Sequence, residues 1–152
     1  MLTIRRYQPS DRSDVIALHY RSLPGTGANP GEGPWDDDLT KIEEVYLQSG
    51  GEFLVGVLDE QLIAMGAIKR KTDTLAEIKR MRVHPLHQRK GFGQQMLHAL
   101  EQRALELGYH SICLDTTTIQ AAAKHLYRKN GYAETKRTMM NNLEFIYFEK
   151  HL

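Results

Sequence analysis

Cysteine and tryptophan are almost missing from this chain of 152 residues: Cys113 and Trp35 are the only examples of each. A single cysteine excludes an intrachain disulfide framework, so stability has to come from a packed core. Long hydrophobic runs are missing too. No stretch approaches the ~20 apolar residues that a membrane-spanning helix needs, and Met1 to Gln8 has no apolar core of the secretory-signal kind. The expectation is a cytoplasmic protein with no membrane partner. Neither sign of charge dominates, because 20 Lys and Arg offset 19 Asp and Glu to leave a formal +1. That balance provides no electrostatic footprint for nucleic acid. Internal repeats and low-complexity tracts are also absent. What is present, 41% hydrophobic and 26% charged residues, suits one globular domain over residues 1–152 with a sizeable core.

Leu2 to Tyr7 alternates as a first strand, and Pro9-Ser10-Asp11 starts a helix that ends near Arg21. Leu23 to Asp38 includes a run of prolines and glycines that breaks both periodicities. A second helix is predicted from about Leu39 to Gln48, with Leu39, Ile42, Val45 and Tyr46 on one face. Phe53 to Leu58, Leu62 to Lys69 and Leu75 to Val83 read as an antiparallel meander of three strands. A helix from about Gly93 to Leu107 carries Met96, Leu97, Leu100, Ala104 and Leu107 as an apolar stripe, with Gly108 as its cap. Ser111 to Thr116 is the next strand, and strand, helix and strand in this order predict a parallel crossover. Gln120 to Lys129 is the last helix, stopped by Asn130-Gly131. Ala133 to Met139 and Leu143 to Lys150 are two final strands around Asn141-Asn142. The fold class is therefore α/β: a mixed, mostly antiparallel sheet flanked by helices, in the order β-α-α-β-β-β-α-β-α-β-β.

The most informative stretch is Gln88-Arg89-Lys90-Gly91-Phe92-Gly93, between the strand ending at Val83 and the helix that follows. The first turn of a helix offers N–H groups without intrahelical partners, and the helix dipole places partial positive charge there. Glycines let the backbone curl so that successive N–H groups converge on phosphate oxygens. Arg89 and Lys90 add charge. Two common phosphate motifs fail: Gly91-Phe-Gly93 continues as Gln94-Gln95-Met96 rather than G-x-G-x-x-G, and no G-x-x-x-x-G-K-[ST] occurs.

What is present, Gln88-x-x-Gly91-x-Gly93, resembles the [QR]-x-x-G-x-[GA] pyrophosphate loop of the GNAT acyl-CoA-dependent N-acetyltransferases. Two other features fall where that family places them. Ala76-Glu-Ile-Lys-Arg-Met-Arg-Val83 with His84-Pro85 is similar to its fourth strand, and Ala123-Lys-His-Leu-Tyr-Arg-Lys-Asn-Gly-Tyr132 to its A-x-x-[LF]-Y-x-[KR]-x-G-[FY] helix end. The similarity spans about residues 52 to 132. It implies a GNAT-like fold and an enzyme that moves an acetyl group from acetyl-CoA directly to a primary amine of a small molecule or peptide, without a metal. It also implies a site. Amides from Arg89 to Gln94, including Gly91, Phe92 and Gly93, would hold the pyrophosphate. Backbone near Met81, Arg82 and Val83 would pair with the pantetheine arm, and a backbone N–H near Met81 would polarise the thioester. Tyr127 would donate a proton to the departing thiolate; the competing reading is a core tyrosine. Glu77 matches a catalytic glutamate of histone-acetylating members. At a strand rise of 3.3 Å per residue it would lie ~13 Å from Met81, which implies a water relay. Its competing role is a salt bridge to Lys79 or Arg80. Many relatives have Asn where this chain has Gln120, whose amide could still touch the cofactor arm.

Other candidates read as structural. His84 and His87 lack a third ligand and are surface-loop histidines rather than a metal pair. Cys113 is a small buried residue rather than a nucleophile, and Lys69-Arg70-Lys71 is a solvated strand end. Asp36 to Asp38 are expected to cap the second helix; the sharper alternative has them, with Glu32 and Trp35, attract a cationic amine. Pairing of the C-terminal strands between two copies would make a homodimer. An acyl-CoA-binding module without catalysis, or a different acyl donor or oxygen nucleophile, are the competing functions.

Overall fold

Alternation along the strands explains why the molecule has two cores. Glu52–Leu58 forms β2, in which Phe53 and Val55 pack into one apolar cluster and Leu54 into another. Successive strand residues point to opposite faces, so both faces of this sheet must be covered. In the computed structural model, which describes residues 1–22, 34–117 and 121–152 (34–36 by backbone alone), helices cover both faces. The other strands are β1 Thr3–Arg6, β3 Gln61–Arg70, β4 Leu75–Val83, β5 Ser111–Thr117, β6 Ala133–Met140 and β7 Leu143–His151. They join into one seven-stranded sheet in the order β1-β2-β3-β4-β5-β7-β6, antiparallel except between β4 and β5.

The helices are α1 Arg12–Ser22, α2 Phe92–Glu106 and α3 Ala121–Lys129. Met96, Leu97, Leu100 and Ala104 of α2 are fully sealed against one face. Each large side chain among them stabilises the fold by about 2 kcal/mol. Val15 and Leu18 of α1 pack with Leu39, Ile42 and Tyr46 on the opposite face. Among the described residues no helix is long and apolar enough to cross a membrane.

The predicted second α-helix is corrected. Pro34–Thr40 is a 3-10 segment and Glu43–Leu47 a π turn, in which Gln48 N–H bonds the Glu43 carbonyl at 2.8 Å. Leu39, Ile42 and Tyr46 are buried as expected. Spacings of three and four residues satisfy several helical windings, and apolar pattern alone does not choose among them.

The far side of the sheet is locked by one carboxylate. Glu52, 2% exposed, accepts from Nε and Nη2 of Arg6, both at 2.9 Å, and from Arg103 Nε at 2.7 Å. Burial pushes its pKa up, but these hydrogen bonds outweigh it and hold the carboxyl below the usual range. β1, β2 and α2 are thereby joined at one buried point.

Candidate active site

β4 and β5 pair only at Leu75–Ser111, Ala76–Ile112 and Glu77–Cys113. Both strands continue, to Val83 and Thr117, without pairing to each other again. The sheet splits, and Ile78 to Val83 present a strand edge to the gap. A bulge accompanies the split. Met65 pairs with Arg82 and Ala67 with Lys79, so Gly66 of β3 faces both Arg80 and Met81. A Cβ on Gly66 would lie 2.8 Å from Leu100 Cδ1 and 3.1 Å from Met81 Sδ, so only glycine lets the bulge pack this closely on α2.

Arg80 takes φ +59 in the bulge, a left-handed conformation that costs a non-glycine residue about 1 kcal/mol. Its guanidinium forks onto Asp38, Nε to Oδ2 at 3.0 Å and Nη2 to Oδ1 at 2.6 Å. The Tyr46 hydroxyl donates to the same Oδ2 at 2.5 Å. Burial raises the pKa of Asp38, yet hydrogen bonds from Arg80 and Tyr46 outweigh it and keep the carboxyl below its usual range. Asp38 is therefore engaged with a strand, and neither caps a helix nor stands ready for a cationic amine.

Beyond Val83 the chain makes one 3-10 turn, Pro85–His87. The Gln88 side-chain amide then donates to the Val83 carbonyl at 3.0 Å and ties the loop back to the strand. Arg89 and Gly91 are both left-handed, at φ +64 and +83, which curls the backbone as an anion-binding nest requires. No side chain caps the start of α2 at Gly91, and the N–H groups of Phe92, Gly93 and Gln94 have no intrahelical acceptor. A Cβ on Gly91 would meet nothing within 4 Å. One on Gly93 would meet Leu126 Cδ2 at 3.6 Å and Val83 Cγ2 at 3.9 Å, ordinary contacts. Packing does not demand glycine at 93. Room over the loop is what a diphosphate needs, so these residues fit one.

α3 comes to the same place, since Leu126 and Val83 both border Gly93. Its end is fixed by two turns of hydrogen bonding: Tyr132 N–H to Tyr127 O at 3.1 Å and Gly131 N–H to Arg128 O at 3.2 Å. Gly131 supplies the required left-handed residue, at φ +92. Asn130 then staples α3 to α2. It exchanges amide hydrogen bonds with Gln94 at 2.6 and 2.8 Å and donates to Leu126 O at 2.7 Å. Tyr127 is 6% exposed, with its ring edge-on to Tyr132. Among the described residues no group hydrogen-bonds its hydroxyl. Burial pushes the phenol up to about 12, with Arg82 pulling it down and Asp115 pushing it up. It keeps its proton at neutral pH and can donate it in a hydrogen bond.

Met81, Arg82 and Val83 lie on the stretch of β4 that has left β5, the Gln88 to Gln94 loop follows it, and Tyr127 is next in α3 to Leu126, which borders Gly93. Glu77 does not join them. It lies in the closed part of β4, opposite Lys69 and Cys113, with Lys71 Nζ at 3.8 Å and Lys79 Nζ at 3.9 Å. Gln120 and Glu32 lie outside the described residues, as do the side chains of Trp35 and Asp36. His84 Nδ1 accepts from Leu86 N–H at 3.1 Å, and its Nε2 is 3.3 Å from Arg21 Nη1. Burial, Arg21 and His87 all lower its pKa. Among the described residues no three His, Cys, Asp or Glu are grouped to hold a metal. Burial, aided by Glu77, pushes the Cys113 thiol up to about 11, which makes it a poor nucleophile. Two elements escaped the sequence reading. Arg80 and Asp38 are 42 residues apart with no pattern linking them, and Asn130 signalled only a helix stop.

A sheet split beside a nest of amides is the architecture of a protein that lays a phosphate-bearing carrier between its strands. Comparison with known proteins makes this specific: the profile of the acetyltransferase (GNAT) family matches residues 16–132, and the chain belongs to that family. Human N-acetyltransferase 8 is 33% identical over 105 residues, which is 64% of this chain and 46% of that protein. N-acetylaspartate synthetase of Xenopus tropicalis is 31% identical over 97 residues, 62% of this chain and 36% of its own length. The chain thus spans less than half of these curated relatives. A GNAT-family acetyltransferase from Staphylococcus aureus Mu50 superimposes with a TM-score of 0.89 at 20% identity, covering 99% of both chains. PaiA N-acetyltransferase of Thermoplasma acidophilum, solved with coenzyme A, gives 0.82 at 21% identity, covering 100% of this chain and 99% of its own. At such identities the likeness establishes the fold.

Proposed function

We propose that this chain is an acetyl-CoA-dependent N-acetyltransferase acting on a primary amine of a small molecule or peptide. One observation carries the reading: β4 parts from β5 after Glu77, and the same chain then curls through left-handed Arg89 and Gly91 into the uncapped start of α2. Acetyl-CoA supplies the activated thioester. First-turn amides of Phe92, Gly93 and Gln94 hold its diphosphate, with Arg89 and Lys90 as peripheral charge. Backbone groups from Met81 to Val83 pair with the amide-bearing arm. The Met81 N–H stabilises charge on the carbonyl oxygen during attack.

Tyr127 serves the leaving sulfur. Its phenol, at about 12, lies above a typical thiol pKa of ~8.5. Full proton loss to the thiolate is therefore uphill, and the phenol acts mainly through a hydrogen bond to the developing anion. The attacking amine must lose a proton, which reaches Glu77 through water because the strand carries that carboxylate away from Met81. The name of N-acetylaspartate synthetase, an amino-acid product, supports a small-molecule amine.

The test is release of free thiol from acetyl-CoA against a panel of amino acids, polyamines and peptides, alongside calorimetry with CoA. An enzyme binds CoA and releases thiol only with a suitable amine. Binding without release would make the chain an acyl-CoA-binding module, and no heat with CoA would end the reading altogether.

A further inference from the structure

The Arg80–Asp38 pair is a forked ionic contact at the split, and the chemistry above makes no use of it. Arg80 lies three residues past Glu77, the last residue of β4 paired to β5, within the bulge that reopens the register with β3. A left-handed arginine is unfavourable unless something holds it. Here the holder is a fork of two hydrogen bonds, between side chains only 16% and 17% exposed. Asp38 belongs to Pro34–Thr40, whose Leu39 is 2% exposed in the core under α1. Tyr46, 1% exposed, holds the same carboxylate from behind and packs edge-on against Phe53. One carboxylate therefore fastens the 34–40 segment to the point where β4 leaves its neighbour.

We infer that Arg80 is a positioning residue: its clamp on Asp38 fixes the 34–40 segment as a wall against the opened edge of β4, and so sets the geometry at the split where an acceptor must approach the thioester. The inference rests on the acetyltransferase reading for its kinetic arm only. Losing the clamp frees the wall and the bulge together, while the nest at Gly91 and α2, built from other residues, stays as it was. Small misplacements of an acceptor are costly because attack requires near-contact geometry.

Arg80→Met and Asp38→Asn are compared with Arg80→Lys, which keeps the charge but not the fork. The most active amine of the thiol-release panel is the acceptor, and Trp35, the only tryptophan, reports on the wall through acrylamide quenching. Arg80→Met should raise the acceptor KM about 10-fold and the quenching constant about twofold, with CoA affinity by calorimetry unchanged within about twofold. Arg80→Lys should fall between wild type and Arg80→Met. The double variant Arg80→Met/Asp38→Asn should be little worse than either single one, since both remove one interaction. Unchanged acceptor KM and quenching in Arg80→Met would overturn the inference. So would a fall in CoA affinity matching the rise in KM, which signals general damage. If wild type releases no thiol with any amine, the enzyme reading fails by itself, and the quenching arm still decides the clamp.

Discussion

β4 is two different strands in one. At Ala76 and Glu77 it is paired on both sides, to β3 and to β5, with Ala76 sealed in the core. From Ile78 onward it loses β5, and from Lys79 to Arg82 it bulges. The closed half follows the alternation rule and holds the sheet together. The open half breaks the rule, and it leads into the glycine loop that starts α2. Pairing on both sides satisfies the backbone and leaves no room; giving up one partner creates a binding edge at the expense of backbone hydrogen bonds.

Substitutions on either side of this boundary should separate the halves. Tyr127→Phe removes the phenol proposed to serve the leaving sulfur, and kcat should fall about 10²-fold, in line with loss of one transition-state hydrogen bond. CoA affinity should hardly move, because the ring stays packed on Tyr132 and Phe148. Glu77→Gln, in the closed half, should lower kcat/KM by about 10-fold and remove the acidic limb of the pH–rate profile, as expected for a base acting through water. A profile identical to wild type would return Glu77 to its two lysines and make the division between halves complete. A Tyr127→Phe enzyme of normal rate would remove the phenol from the mechanism.

The loop offers a finer test. Gly93→Ala has room in the protein itself, with nothing nearer than 3.6 Å to the new Cβ, so the thermal midpoint should stay within about 1–2 °C. CoA affinity should nonetheless drop about fivefold, because the methyl group intrudes where phosphate oxygens must approach the amides. Intact affinity by calorimetry would place the diphosphate elsewhere.

The closed half and the loop were legible because their physics is local. Alternation bounds β4 at Leu75 and Val83, both ends as observed, and glycine at 131 is read correctly as a helix stop because no other residue takes φ +92 cheaply. The open half was not legible in full. The bulge at Arg80 has no glycine or proline to announce it, and depends on Gly66, on α2 and on Asp38 across the fold. The 39–48 helix was misread for a related reason. Its apolar spacing is right, but the winding is set by partners such as Asp38, which anchors Tyr46.

The smallest effect is expected at the boundary itself. Cys113 is the β5 partner of Glu77 in the last paired rung, and burial, with that carboxylate adding to it, raises its thiol from 9.0 to about 11. A pKa raised by folding means the unfolded chain sheds this proton first. The contribution to stability is therefore fully present below pH 9 and is lost as pH rises towards 11. Cys113→Ser should flatten this part of the stability curve, sparing about 1–2 °C of the midpoint lost by wild type over that window. Glu77→Gln should move the thiol's titration, followed by thiolate absorbance, back towards its ordinary value. If Cys113 titrates as a free thiol in wild type, the rung is open to water, and the boundary between the two halves of β4 lies nearer Leu75 than the pairing indicates.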